Sequence, residues 1–223
     1  MAKAFFDVDD TLVNGKTSLI MFFALWREKQ IGFLLVVRWL FWLYRISFTL
    51  PFRRNNFFPV LAEHSFAFFA RKRVSTVQVQ LDKIFQERIK PRLIPSTVQA
   101  LREHQERGDQ VILLSGSIYP LLQPLARYLK ADRLIATELE NKNGIYTGKL
   151  KRIVYGQSKF TIAENEENFS SEGNFFYSNS CADLPCLEQA TYPVVVNPTS
   201  LLRKKAQEKG WPILATSMPL KKS

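Results

Sequence analysis

From Pro95 onward the chain alternates short apolar runs with segments of helical period, and this regularity limits the fold more than any other feature. Residues 96–107 carry a helical pattern, with Ser96 placed as the N-cap and Gly108 as the stop. Residues 110–114 form an apolar run of strand length, 119–129 a helix and 133–139 another strand. Asn143-Gly144 signals a tight turn into a hairpin arm at 145–150. The series continues with a helix at 158–167, a strand at 174–178, a helix at 184–190, a strand at 193–196 and a helix at 199–209. Strands separated by helices of this length specify a parallel sheet covered on both faces.

The run at 3–8 ends in acids, which suits a buried strand whose carboxyl end carries a site. Residues 17–90 read as helical, with breaks near Gly32, Pro51 and Pro59. The expected fold is α/β: a Rossmann-like parallel sheet with helices on both faces and a helical cap inserted after the first strand. Residues 1–14 and 91–223 would form the core domain and 15–90 the cap. The cap would stand above the carboxyl ends of the strands, where open α/β sheets bind ligands. A content of 46% hydrophobic and 23% charged residues excludes wholesale disorder.

Charge is concentrated in the expected cap. Residues 12–90 hold 13 Lys/Arg against four Asp/Glu, so +9 of the formal +11 lies there. Such a field attracts phosphorylated substrates, acidic lipid surfaces or nucleic acid. No recognised RNA or DNA module accompanies it, so a nucleic-acid partner is not expected. Cys181 and Cys186 lie close together in one late loop, forming neither a disulfide framework nor a zinc pair. They read as small, partly buried thiols of a reducing compartment. Acidic residues arrive at Asp7, where a secretory signal would continue apolar, so the expected location is cytoplasmic.

Four features fall at expected strand ends. Asp7 and Asp9, in Asp7-Val8-Asp9-Asp10-Thr11, can serve as nucleophile and general acid/base. Asp7 can also bind Mg²⁺ through its second oxygen. Ser115-Gly116-Ser117 places a hydroxyl and backbone N–H groups before a helix, a phosphate-binding corner. Lys159 offers a point charge to phosphoryl oxygens. Asn179 and Asp183 follow the 174–178 strand as oxygen donors for a hard cation. Each occurs commonly alone; their order along alternating strands is what gives them weight.

With these residues in this order, the chain resembles the haloacid-dehalogenase superfamily over nearly its whole length. Asp7-Val8-Asp9-Asp10-Thr11 is similar to its first motif, Ser115 to the second-motif hydroxyl and Lys159 to the third-motif lysine. Tyr177-Ser178-Asn179-Ser180-Cys181-Ala182-Asp183 resembles the acidic fourth motif. The early helical insertion, Val194-Val195-Val196-Asn197-Pro198 and Gly210-Trp211-Pro212 resemble subfamily IB, the phosphoserine-phosphatase-like branch. The resemblance implies a Mg²⁺-dependent phosphomonoester hydrolase. Asp7 would attack phosphorus and Asp9 would protonate the leaving alkoxide and later activate water. Thr11, Ser115, Gly116 and Lys159 would hold the phosphoryl group. Mg²⁺ would bind Asp7, the Asp9 carbonyl and Asn179, with Asp183 just behind them.

Two positions depart from that pattern. Asn179 stands where the family usually has a metal-binding aspartate, so it contributes no formal charge. This departure motivates an alternative, a catalytically weakened, membrane-associated binding protein that keeps the fold. Lys16 falls where phosphoserine phosphatases carry a glutamate that recognises the substrate amine. Two facing ammonium groups would cost affinity, so Lys16 suits a second anionic group or a substrate without an amine, not free phosphoserine.

Residues 31–50 are mostly apolar over the length of a membrane span, but Arg38 and Arg45 interrupt them. Each would cost ~2.5–3.5 kcal/mol near the middle of a bilayer. Arg38 and Arg45 share one helical face, leaving a broad apolar surface that includes Trp39, Trp42 and Tyr44, as in a helix lying in an interface. The expected partners are therefore a phosphorylated small molecule or a lipid phosphate, with peripheral contact to an acidic membrane at its inner face.

Overall fold

The computed structural model of this protein describes residues 2–32 and 66–215. Most of the apolar 31–50 stretch, with Arg38, Arg45 and the aromatic residues between them, lies outside the described residues. Among the described residues, no helix is long and apolar enough to cross a membrane.

The strands are β1 (Lys3–Phe6), β2 (Gln110–Ile118), β3 (Arg133–Lys142), β4 (Ile145–Arg152), β5 (Phe175–Ser178), β6 (Tyr192–Val196) and β7 (Ile213–Leu214). They form one seven-stranded sheet in the order β4-β3-β2-β1-β5-β6-β7. Every pairing is parallel except β3 with β4. The antiparallel arm forms because Asn143 and Gly144 both adopt positive φ, at 51° and 74°, the turn geometry that matches strand twist.

The helices are α1 (Thr17–Arg27), α2 (Val74–Ile84), α3 (Pro95–Glu106), α4 (Tyr119–Leu129), α5 (Gln157–Glu167), α6 (Leu184–Gln189) and α7 (Ser200–Lys209). A π-turn at Phe85–Ile89 and a 3₁₀ turn at Lys90–Arg92 lead from α2 toward α3. Strand alternation divides the core into two faces. Ala4, Phe6, Val111 and Leu113 face a cluster shared with Met21, Leu25, Leu81 and Leu121 of the helices. Phe5, Ile112, Leu114 and Phe176 face the opposite cluster, with Ala163, Leu187, Leu202 and Ala206. Each face buries the apolar stripe of several helices, the arrangement that a parallel sheet requires.

Two local expectations are corrected. Ser96 is not the N-cap of α3: Ile94 is, and Pro95, with its fixed φ, opens the helix. Ser96 instead buries its hydroxyl without a hydrogen-bond partner among the described residues. The strand expected at 110–114 continues to Ile118, so Ser115-Gly116-Ser117 is not a loop. β3 pairs with Ser115 and next with Ile118, so Gly116 and Ser117 bulge out of the ladder.

Candidate active site

The site gathers at the carboxyl ends of the three central strands. Phe6 of β1 pairs with Leu113 of β2 on one side and Tyr177 of β5 on the other. Asp7 and Asn179 therefore follow the ends of β1 and β5, beside Ser115, which stays in β2 just before its bulge. The Asp7 N–H donates to the Tyr177 carbonyl at 2.9 Å, fixing the first residue beyond β1.

Lys159 joins this edge from α5. Gly156, before the helix, has φ 54°, and a Cβ there would meet the Ala182 carbonyl at 3.9 Å. A Cβ at that distance would be in ordinary contact, so it is the positive φ of the turn that favours glycine here. Lys159 Nζ then donates to Asp7 Oδ1 at 2.8 Å and to Asp183 Oδ2 at 2.9 Å. Ser178 Oγ donates to the same Asp183 oxygen at 2.6 Å. Thr11 Oγ1 stands 3.3 Å from Asp7 Oδ2 and 3.5 Å from Asn179 Oδ1. These groups are buried, with Lys159 2% and Asp7 6% exposed.

Asp9 occupies a different setting. It is partly buried, and its Oδ1 accepts from both the N–H and the hydroxyl of Thr17, at 2.9 and 2.6 Å. Thr17 Oγ1 lies 2.8 Å from Ser117 Oγ, and Ser18 Oγ lies 3.2 Å from it. The Ser117 N–H donates to Ser115 Oγ at 3.2 Å, and Thr137 donates to the Gly116 carbonyl at 2.8 Å. The β2 bulge is therefore tied to the first turn of α1. Asp10 adopts the left-handed region at φ 61°. Its carboxylate accepts from the Gly15 N–H at 2.8 Å and pairs with Lys16 Nζ at 2.9 Å. This closes the loop between β1 and α1.

The electrostatics separate the two carboxyls. Burial pushes Asp7 up to about 6, against the attraction of Lys159, and Asp183 and Asp9 add to the rise. Burial also raises Asp9, opposed by the two bonds from Thr17. Burial would lower Lys159, but Asp183 and Asp7 outweigh it and hold the ammonium charged. Burial likewise works against the charge of Lys16, which Asp10 more than restores.

One buried ammonium thus faces Asp7 and Asp183, with Asp9 nearby. Asp7 Oδ2 and Asn179 Oδ1 converge on one hydroxyl, that of Thr11. An excess of carboxylate charge with convergent hard oxygens fits a small divalent cation that retains several waters. The donor set has no thiolate or imidazole and does not fit a soft metal.

The expected residues Asp7, Thr11, Lys159, Asn179 and Asp183 meet directly. Ser115 and Gly116 join through the bulge, and Lys16 stands at the rim on Asp10. Sequence reasoning missed Thr17, Ser117 as a partner of α1, and Ser178. A threonine opening a helix ten residues after the first acid was the signal for Thr17; the hydroxyl closing the 174–178 strand was the signal for Ser178.

The family model for haloacid dehalogenase-like hydrolases matches residues 4–188. The chain belongs to that family. Over 217 residues it is 29% identical to a phosphoserine phosphatase, SerB1, of Mycobacterium tuberculosis, covering 95% of this chain and 70% of that one. It is 31% identical over 150 residues to a probable phosphatase of the same organism. That match covers 66% of this chain and 52% of the relative, so the chain spans about half the length of that relative. A crystal structure of a protein of unknown function from Bordetella pertussis Tohama I shares the fold at a TM-score of 0.83 and 24% identity. The match covers 96% of this chain and 99% of that one.

Proposed function

We propose that the protein is a Mg²⁺-dependent phosphomonoester hydrolase that works through an aspartyl-phosphate on Asp7. The observation that carries this reading is the separation of two carboxyls into two environments. Asp7 is buried and held by Lys159 at 2.8 Å; Asp9 is held toward α1 by Thr17. With a pKa of about 6, Asp7 is mostly ionised at neutral pH and can act as nucleophile. The raised Asp9 holds a proton more readily than a free carboxyl, as a general acid should.

In the first step an Asp7 oxygen bonds to phosphorus as the ester P–O bond breaks. The bond's electron pair leaves on the alkoxide, which takes the Asp9 proton. In the second step water attacks phosphorus, Asp9 accepts the water's proton, and phosphate departs from a restored Asp7. Lys159, Ser115 and the Gly116 N–H of the β2 bulge oppose the charge on the phosphoryl oxygens. Asp7, the Asp9 carbonyl and Asn179 would hold Mg²⁺, with Asp183 fixed behind them by Lys159 and Ser178. When bound, Mg²⁺ supplies positive charge against the phosphoryl oxygens.

The substrate in this reading is a lipid or other apolar phosphate rather than phosphoserine. Lys16 supports this, since it places an ammonium at the rim of the site where a substrate amine would be repelled. The apolar, basic composition of residues 15–90 supports a cap over the site and peripheral contact with acidic membrane from the cytoplasmic side. The test is phosphate release from an aryl phosphate across a Mg²⁺ titration, with Asp7→Asn as control. Release that depends on Asp7 supports the hydrolase. No release at any Mg²⁺ concentration supports the binding protein that Asn179 motivates.

A further inference from the structure

A cavity of about 540 Å³ is lined by α3, by the turns that follow α2 and by the end of α4. Small-molecule pockets fall in the same range, roughly 300–1,000 Å³. From α3 come Pro95, Val98 and Arg102, which share one helical face at spacings of three and four. The π-turn Phe85–Ile89 and the 3₁₀ turn after it supply Gln86 and Lys90. Such π-turns are rare and concentrate at functional sites. Tyr128 of α4 packs on buried Phe85 with ring centroids 5.7 Å apart, and Lys90 Nζ sits over its ring at 4.7 Å from the centroid. That contact holds the ammonium at the cavity wall.

The apolar part of the wall is also fixed. Leu93 lines the cavity and forms an antiparallel bridge with Val13. On either side of it, the Arg92 carbonyl accepts from the Asn14 N–H at 2.8 Å and the Ile94 N–H donates to the Leu12 carbonyl at 2.9 Å. A wall held in place before a ligand arrives costs little to order on binding. The charges in the cavity are of one sign. Among the described residues no aspartate or glutamate lines it, and Lys90 and Arg102 make no ion pair. Arg127, beside Tyr128, is by contrast paired with Asp82 at 2.9 Å. None of Asp7, Asp9, Ser115, Lys159 and Asn179 lines the cavity.

We infer that this cavity is a binding site for a small organic anion, an acidic group on an apolar body, separate from the reaction centre. Lys90 and Arg102 take the anionic group, and Leu93, Val98 and Tyr128 take the body. The inference stands independently of the hydrolase reading. A bilayer would need these cations on a flat or convex face, and they line a concave one.

The experiment titrates naphthalenesulfonate into the full chain and follows its fluorescence. Ethanesulfonate, which lacks the ring, and naphthylmethylammonium, which reverses the charge, should each bind roughly tenfold more weakly or worse. A Lys90→Gln/Arg102→Gln double variant should weaken naphthalenesulfonate by roughly tenfold or more. A charge-matched Lys149→Gln/Lys204→Gln variant, altered at exposed positions outside the cavity, should bind it as the wild type does. Val98→Phe keeps both cations but fills the cavity, so it should weaken naphthalenesulfonate and leave ethanesulfonate unchanged. Equal weakening in the two charge variants would reduce the effect to a diffuse field and overturn the site. Absence of saturable binding, or indifference to Val98→Phe, overturns it as well. So does flotation with phosphatidylglycerol vesicles that depends on Lys90 and Arg102 while the soluble anion fails to bind, since the face would then belong to a membrane.

Discussion

Lys159 Nζ stands 2.8 Å from Asp7 Oδ1, joining the start of α5 to the end of β1 across 152 residues of chain. The same ammonium holds Asp183 at 2.9 Å, so one cation organises two carboxylates from different loops. Removing it leaves both carboxylates buried and unpaired. Lys159→Met should cost about 3 kcal/mol at pH 7.5. For a chain of this length that is roughly 6–12 °C in melting temperature by calorimetry. Phosphate release should fall at least ~100-fold. A variant with the wild-type melting temperature would show that the pair organises nothing.

Asn179 is 8% exposed and brings an amide oxygen to the Thr11 hydroxyl that also faces Asp7. Asn179→Asp adds a second formal charge to the donor set. The half-maximal Mg²⁺ concentration for phosphate release should fall about tenfold, which is a gain of ~1.4 kcal/mol. Without metal the new carboxylate is buried beside Asp7, so the variant should melt below the wild type in chelator and above it in excess Mg²⁺. An unchanged Mg²⁺ titration counts against Asn179 as a ligand.

Much of this was legible in the sequence, and the failures have local causes. The helix expected at 119–129 is α4, because Pro120 and a run of leucines fix both its start and its buried face. The hairpin was legible because Asn-Gly tolerates positive φ at both turn positions. The end of β2 was not, since Ser-Gly-Ser reads as loop chemistry while tertiary pairing with β3 keeps Ser115 and Ile118 in strand. β7, only Ile213–Leu214, is too short to carry a period and exists because β6 offers it an edge. Asp7, Lys159, Asn179 and Asp183 were singled out by their order along the strands and Thr11 by the family resemblance, and the structure brings these five side chains together. Thr17 was not, because its role is a hydrogen bond to Asp9 across a loop whose closure depends on Asp10.

A second polar cluster lies away from the proposed chemistry. His104 is 1% exposed, with Nε2 at 2.9 Å from the Tyr177 hydroxyl and Nδ1 at 2.8 Å from Asp109. Arg107 also contacts Nδ1, and Phe6 and Phe175 pack against the ring. Burial lowers the imidazole below its ordinary 6.5, against the pull of Asp109. The folded state then refuses a proton that the unfolded chain accepts. His104 therefore contributes stability that is present above pH 6.5 and is lost as pH falls below it. Asp109 is held below its ordinary 3.8, where the bonds from His104 and Arg107 outweigh burial, so its contribution is lost only in more acid solution. Calorimetry at pH 7.5 and 5.5 should show a loss in the wild type that is smaller in His104→Gln. Equal losses in both would place the acid sensitivity elsewhere.

The central claim is that Asp7 carries the phosphoryl group. Acid quenching during turnover of an aryl phosphate with Mg²⁺, followed by peptide mass spectrometry, tests it most directly. A phosphoryl group on the peptide containing Asp7, absent in Asp7→Asn, is the predicted result. Wild-type turnover by Asp7→Asn, or phosphoryl label on a different residue, would contradict it.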